Sequence, residues 1–376
     1  MRKVKEPLFR IVKRTSISKP KKALYYLGAI AVSFIIAGLI LIPMKVNPFE
    51  YFWKMMTLGI IGNRFPYKVF EGFILVAVPL LITSLALSLA FKIKFWNIGG
   101  EGQFIMGAVA AATVAFLLGE KNIPSVLLIS LMCVAGLLAG ALYGFIPTIF
   151  KIKLGTSETL LTLMLNYVAL YFIIYLGVTK SDWNIFLRTD SVRPQFAYFP
   201  KSAWMTGIKI GDFTLNYTLI FTIIIFVIVY IYLKKTKQGY ETLVVGDSAN
   251  AARYAGMKVN KIVLRTMLMS ASLIGLAGAF YVSSSHSLSE SVTGGVGWTG
   301  IIVAWLAKLD PVWIFVTSIL ISILGYGCKV ASTQFTNIDS NFANLLQGII
   351  LFLILVADFF IRFKIVIRSK EKKVIE

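Results

Sequence analysis

The stretch Asn97-Ile98-Gly99-Gly100-Glu101-Gly102-Gln103 lies between two long apolar runs, Phe73 to Phe91 and Phe104 to Leu118. Three glycines, two side-chain amides and a carboxylate are poor material for the interior of a membrane-spanning helix. They suit a backbone that bends and then starts a helix. An opened helix end among membrane spans is where many transporters place their pathway. The stretch therefore points to a passage for a polar solute rather than to an anchor.

Composition sets the class. The chain has 376 residues and is 57% hydrophobic, with a mean hydropathy of +0.79. Apolar runs of about 20 residues, enough for a hydrocarbon core of ~30 Å, recur along it. The alternating segments of about ten residues that build a membrane barrel are absent. The chain reads as an all-α polytopic membrane protein of about ten spans. They are expected near residues 23–43, 69–91, 103–119, 124–149, 158–178, 213–233, 263–284, 297–309, 311–328 and 342–362.

The formal net charge is +21, from 38 Lys+Arg against 17 Asp+Glu. These charges sit mostly at the ends of apolar runs, so the positive-inside effect accounts for them and nucleic-acid binding is not expected. With ten spans, the basic segments all fall on one side. They are Arg2 to Lys22, Lys92 with Lys94, Lys151 with Lys153, Lys234 to Arg265, Lys308, and the tail from Arg362. Both termini are then cytoplasmic. The expected organisation is a basic N-terminus at 1–22, a transmembrane domain at 23–365 and a tail at 366–376. Within the domain lie a cytoplasmic segment at 234–262 and an external loop at 179–212. The apolar run Ala23 to Ile42 is too long for a typical signal peptide and reads as a retained first span. Between Asn47 and Lys68, aromatics mixed with basic residues suggest an interfacial helix.

The eighth span is short. Trp298 to Leu309 reaches only ~18 Å as a helix, so it is either a half-helix fed by Ser283 to Gly297 or a re-entrant segment. It is preceded by a second glycine-rich polar stretch, Ser289 to Gly300. Spans 2–5 and 7–10 enter from opposite sides, and each set carries one such interruption after its first member. That is the pattern of inverted repeats.

No enzyme constellation is present, and no cofactor is expected. His286, at the outer end of the seventh span, is the single histidine and reads as a solvated loop residue; there is no H-E-x-x-H, and there is no G-x-x-x-x-G-K-[ST] phosphate loop. Cys133 and Cys328 lack metal-ligand spacing. The remaining candidates are polar groups among apolar ones. Asn97, Glu101 and Gln103 either meet the solute or, for Glu101, cap the helix that starts there. Glu158, Thr162 and Asn166 share one face of the fifth span. That stripe lines a path or bonds to neighbouring helices. Trp298 and Trp305 stack on a flat ligand or anchor the membrane interface. In the cytoplasmic segment, Asp247 or Ser248 caps a short helix through Tyr254, and Gly256 ends it. Gly246, Asp247, Asn250, Ala251, Arg253, Tyr254 and Gly256 are its candidate contacts. A helix that short needs a docking surface, either on the chain's own spans or on a partner.

These residues carry a resemblance. Asn97 to Gln103 followed by Met106-Gly107-Ala108 resembles the signature of ABC-transporter permeases of the branched-chain amino acid and simple-sugar superfamily. Met164-Leu165-Asn166-Tyr167 is similar to its nucleoside-uptake branch. Gly246 through Gly256 resembles its coupling loop, and Ala277-Gly278-Ala279 and Gly297 to Ala304 fit its later spans. Thr156-Ser157-Glu158 departs from that branch's usual Asn-Glu pairing. The resemblance covers roughly residues 70–365 and implies the inverted-repeat, ten-helix fold of a type II importer. It also implies partners: a second homologous permease, a cytosolic ATPase and an extracytoplasmic substrate-binding lipoprotein, in the lipid of a bacterial inner membrane. The implied solute is a nucleoside, with simple sugars or riboflavin as alternatives. An ion-coupled secondary transporter is the competing class. It would need a carboxylate or histidine deep in a span, whereas Glu101, Glu158 and Asp358 all fall near expected span ends.

Overall fold

The computed structural model describes residues 9–14, 17–61, 63–335, 337–338 and 340–367. The expected N-terminal segment 1–22 and tail 366–376 lie partly outside them. In chain order the elements are β1 (Phe9–Lys13), α1 (Lys19–Leu41), α2 (Pro48–Met56), α3 (Pro66–Lys92), α4 (Gly100–Leu118), α5 (Ser125–Leu154) and α6 (Glu158–Val178). There follow β2 (Gly207–Ile210), β3 (Phe213–Asn216), α7 (Tyr217–Lys235), α8 (Lys237–Asp247), α9 (Ala249–Tyr254) and α10 (Val259–Ser285). The chain continues with α11 (Val296–Leu306), α12 (Pro311–Thr333), α13 (Ser340–Arg362) and β4 (Phe363–Ile367).

Among the described residues nine helices are long and apolar enough to cross a membrane, and α11 is the shorter apolar helix. The all-α polytopic fold class holds, and α11 sits where the short eighth span was expected. The chemistry of the boundaries is local. Proline opens α2, α3 and α12, where its missing N–H costs nothing. Gly155 ends α5 at φ +66°, a left-handed position that suits glycine. Ser157 then caps α6 by accepting from the Leu160 N–H. The sixth span starts later than expected, because 213–216 pair with 207–210 as an antiparallel hairpin.

The contacts divide the chain into two compact units, residues 59–326 and residues 1–58 with 327–376. In the larger unit α4, α5 and α10 meet backbone to backbone. A Cβ placed on Gly107 would overlap the Gly275 carbonyl, and one on Gly275 would overlap the Gly136 carbonyl. Lipid gives helices no hydrophobic drive to associate, so close packing of this kind is what holds membrane helices together. Side chains such as Phe104, Leu128, Met132 and Ile274 fill the surrounding core.

The expected external loop is ordered on this unit. Phe186 and Phe199 pack edge-on against Phe116, with ring centres at 5.9 and 5.1 Å. The Ser202 hydroxyl donates to the Gly119 carbonyl at 2.7 Å, and the Met205 N–H to the Ser283 carbonyl at 2.9 Å. His286, expected to be a solvated loop residue, stacks on Trp204 at 4.0 Å. Partial burial there holds its imidazole below the usual pKa.

In the smaller unit α1 packs on α13, and β1 pairs antiparallel with β4. Asp358 is held by Arg362 at 2.7 Å and by the Tyr26 hydroxyl at 3.0 Å. The helix expected between residues 47 and 68 is α2. It buries Tyr51 and Met55 and exposes Phe49 and Trp53.

The glycine contacts give a stability test. Gly275→Leu is expected to cost at least about 3 kcal/mol through overpacking and to lower the melting temperature of the detergent-purified protein sharply. Gly28→Leu, where a Cβ meets nothing within 4 Å, leaves it unchanged.

Candidate functional site

The site is built where α3 ends and the chain turns back to start α4. A helix start leaves N–H groups without intrahelical partners, and where it is buried no water replaces them. The chain meets this requirement with side chains. Asn97 Oδ1 accepts from the Gly99 N–H at 3.0 Å, shaping the turn. The Asn97 and Gln103 amides pair reciprocally, each bond at 3.1 Å. From α6, Thr162 Oγ1 accepts from the Ile98 N–H at 3.2 Å. Asn166 accepts from the Gly102 N–H at 2.8 Å and donates to the Ile98 carbonyl at 2.7 Å. All four side chains are buried, Asn97 completely. The polar stripe expected on the fifth span therefore faces the Asn97–Gln103 turn.

Glu101 is the residue whose partner the sequence did not reveal. It does not cap its own helix; Asn166 supplies that contact. Side chains in a first turn lean toward the helix start, and here the start of α11 stands opposite. Glu101 Oε1 accepts from the Gly297 N–H at 2.9 Å and from the Trp298 N–H at 3.3 Å. The carboxylate thus neutralises the positive end of α11. Gly297 permits the approach, since a Cβ there would lie 2.5 Å from the Glu101 nitrogen. The two glycine-rich interruptions, read as repeat counterparts, meet at this point.

Glu158 lies apart from the cluster. Its carboxylate pairs with Lys151 at 2.7 Å, joining the end of α5 to the start of α6. Trp298 is half-exposed and enters the site only through its backbone. Trp305, considered with it as a stacking surface, is covered on one face by Trp96, at 5.2 Å and 17°. Tyr143, which the sequence did not single out, donates to the Leu165 carbonyl at 2.6 Å. A Cβ on Gly102 would meet its ring. The only sequence signal for that contact was the glycine itself.

The expected coupling segment contains two helices rather than one. Ser248 caps α9 by accepting from the Ala251 N–H, and Gly256 follows it at φ +78°. Asp247 is not the cap; it ends α8, and its carbonyl accepts from Lys94 Nζ at 3.1 Å. The helix α8 was not anticipated because Gly239 and Gly246 weaken its helical pattern. Tertiary approach explains them, since a Cβ on Gly246 would overlap the Lys92 carbonyl at the end of α3. Val245 and Ala252 pack with Ala90, Ile93, Phe95 and Ile262. Asn250, Ala251, Arg253 and Tyr254 point away from that cluster, with Tyr254 94% exposed. Nearby, Lys234 pairs with Asp310 at 2.7 Å. Burial raises the Asp310 pKa, but Lys234 and the Val312 N–H outweigh it and leave the carboxyl below its usual range.

Residues 69–355 match the family described as branched-chain amino acid transport system / permease component. The chain is 30% identical to the nucleoside ABC transporter permease protein NupB of Lactococcus lactis subsp. cremoris, over 82% of this chain and 85% of that one. It is 25% identical to the glucose ABC transporter permease protein TsgB13 of Haloferax volcanii, over 90% and 87%. It is 28% identical to the guanosine ABC transporter permease protein NupP of Bacillus subtilis, over 76% and 80%.

Glu101→Ala leaves the buried Gly297 N–H and the partly buried Trp298 N–H without their acceptor. It is expected to cost roughly 1–3 kcal/mol for each, read as a lower melting temperature in detergent. Asn166→Ala, which uncaps α4, is expected to fall in the same range. An unchanged melting temperature in both would separate these residues from the stability of the two helix starts.

Proposed function

Because the chain belongs to the branched-chain amino acid transport system / permease component family, a family of transporter membrane subunits rather than enzymes, we propose that it forms half of the pathway of an ATP-driven importer. A second homologous permease completes the pore. A cytosolic ATPase supplies the energy, and an extracytoplasmic lipoprotein delivers the solute. The setting is a bacterial inner membrane, with both termini and the segment 234–262 in the cytoplasm and the loop 179–212 outside.

One observation carries this reading. The helix α9 is fixed on one side and bare on the other. Ala252 docks it beside Ile93 and Phe95, and Gly246 seats α8 on the end of α3. Its outer side presents Asn250, Ala251, Arg253 and Tyr254. A rigid helix tied to a membrane span and presenting an aromatic and an arginine is suited to receive force from another protein, since those residue types dominate interface energetics. Asn97, Glu101, Gln103, Thr162 and Asn166 then keep the starts of α4 and α11 in register, near the solute path. Glu158 and Trp298 stand at the margins of that region.

The proposed solute is a nucleoside, a neutral polar molecule in keeping with the names of the Lactococcus and Bacillus relatives. The Haloferax relative is named for glucose and supports a simple sugar as the second reading. Vesicles holding the full complex decide between them. ATP-dependent uptake of guanosine is expected, and uptake of glucose alone would establish the second reading. Uptake that needs no ATPase would overturn the importer itself.

The lever has its own test. Tyr254→Ala and Arg253→Glu are each expected to lower solute-stimulated ATP hydrolysis by about tenfold, the effect of losing ~1.4 kcal/mol at an interface. The melting temperature of the isolated permease stays unchanged, because both side chains are exposed.

A further inference from the structure

The helix α6 has two unlike faces. Thr162 and Asn166 lie on the side that holds the 97–103 turn. At 3.6 residues per turn the opposite side carries Tyr167, Tyr171 and Tyr175, exposed by 54%, 67% and 52%. No hydrogen bond joins their hydroxyls to any other described residue. Depth makes them unusual. Counted from Glu158, Tyr167 and Tyr171 stand ~14 and ~20 Å along a helix of ~30 Å, too deep for interface anchors. A phenol hydroxyl turned toward acyl chains at mid-membrane has no partner.

Two other helices show what an exposed apolar face looks like in this chain. On α5 the exposed side carries Val134, Leu138 and Leu142, and on α7 it carries Ile224, Val227 and Ile228. None of these side chains has a polar atom. The tyrosines of α6 break that rule three times on one line. The line is bounded at both ends. Trp183 of the external loop stacks on Tyr175 at 5.9 Å and 22°, and the Lys151–Glu158 pair stands at the other end.

We infer that Tyr167, Tyr171 and Tyr175 form a solute-facing ridge along a wet path, on the side of α6 opposite Asn166. Their rings offer flat surfaces to a nucleobase, and their hydroxyls donate to and accept from ring nitrogens and sugar hydroxyls. The assignment rests on the importer reading above and makes it more specific, because it moves the solute away from the polar cluster that holds the helix starts.

Cysteine labelling in the full complex tests this. In a background with Cys133→Ser and Cys328→Ser, the variants Tyr167→Cys and Tyr171→Cys are compared with Leu138→Cys on α5. A thiol in lipid has its pKa raised by a unit or more, so a membrane-impermeant thiol reagent should label the tyrosine positions at least about tenfold faster than residue 138. Guanosine should slow that labelling. Labelling only by a lipid-soluble maleimide would place the ridge in lipid, and labelling by neither reagent would place it in a dry subunit interface; both outcomes overturn the inference. Protection by glucose and not by guanosine would keep the ridge and exchange the solute class. If a cysteine variant does not assemble, Tyr171→Phe serves instead. It is expected to lower guanosine uptake about fivefold for one lost hydrogen bond, and unchanged uptake overturns the ridge. ATP-dependent uptake by the unlabelled cysteine-free protein is measured in the same vesicles. Its absence counts against the importer reading, whereas its presence with lipid-type labelling counts against the ridge alone.

Discussion

The carboxylate of Glu101 stands between two helix starts inside a membrane protein, and the surrounding architecture follows from that. A helix start exposes N–H groups, and those buried inside the protein must find an acceptor there. Gly297 and Trp298 at the start of α11 find their acceptor in Glu101, while Gly102 at the start of α4 finds its acceptor in Asn166. Burying a carboxylate is costly, but two backbone donors and the positive end of a helix offset much of that cost. Through these few bonds α4, α6 and α11 are held in one arrangement, and the starts of α4 and α11 find acceptors for N–H groups that no intrahelical bond satisfies.

Close packing supplies the rest of the rigidity. Because α4, α5 and α10 touch through glycine, their backbones lie nearer than side chains would allow, and dispersion contacts accumulate where lipid gives no hydrophobic drive. The same device recurs at Gly246, which seats α8 on the Lys92 carbonyl. Beyond Lys92, Trp96 stacks on Trp305 of α11. A continuous set of contacts therefore runs from α8 and α9 through the end of α3 to α11 and to Glu101.

Legibility in the sequence followed the range of the interaction. The span α6 has the bounds its apolar run suggested, since ~20 apolar residues with a serine cap before them and a polar loop after them leave little choice. Ser248 and Gly256 were readable as the limits of a short helix, because capping acts over three residues. The helix α8 was hidden because its two glycines lower local propensity, and only the neighbouring carbonyls of Tyr232 and Lys92 explain them. His286 read as a solvated loop residue, for its stacking partner Trp204 is far away in sequence.

The sequence by itself determined a helical membrane protein, its spans, its two glycine-rich interruptions and the family whose motifs they carry. Hydrophobic run length, turn chemistry and capping are all written within a few neighbouring residues. Tertiary structure alone decided which polar groups pair. Glu101 reaches a backbone 196 residues away, and Asn166 turns inward while Tyr167 beside it turns out. A polar side chain among apolar ones must find a partner, but the need carries no address. Only the packing of α4 against α6 and α11 supplies one, and in doing so it separates the residues that hold the helix starts from those left facing outward.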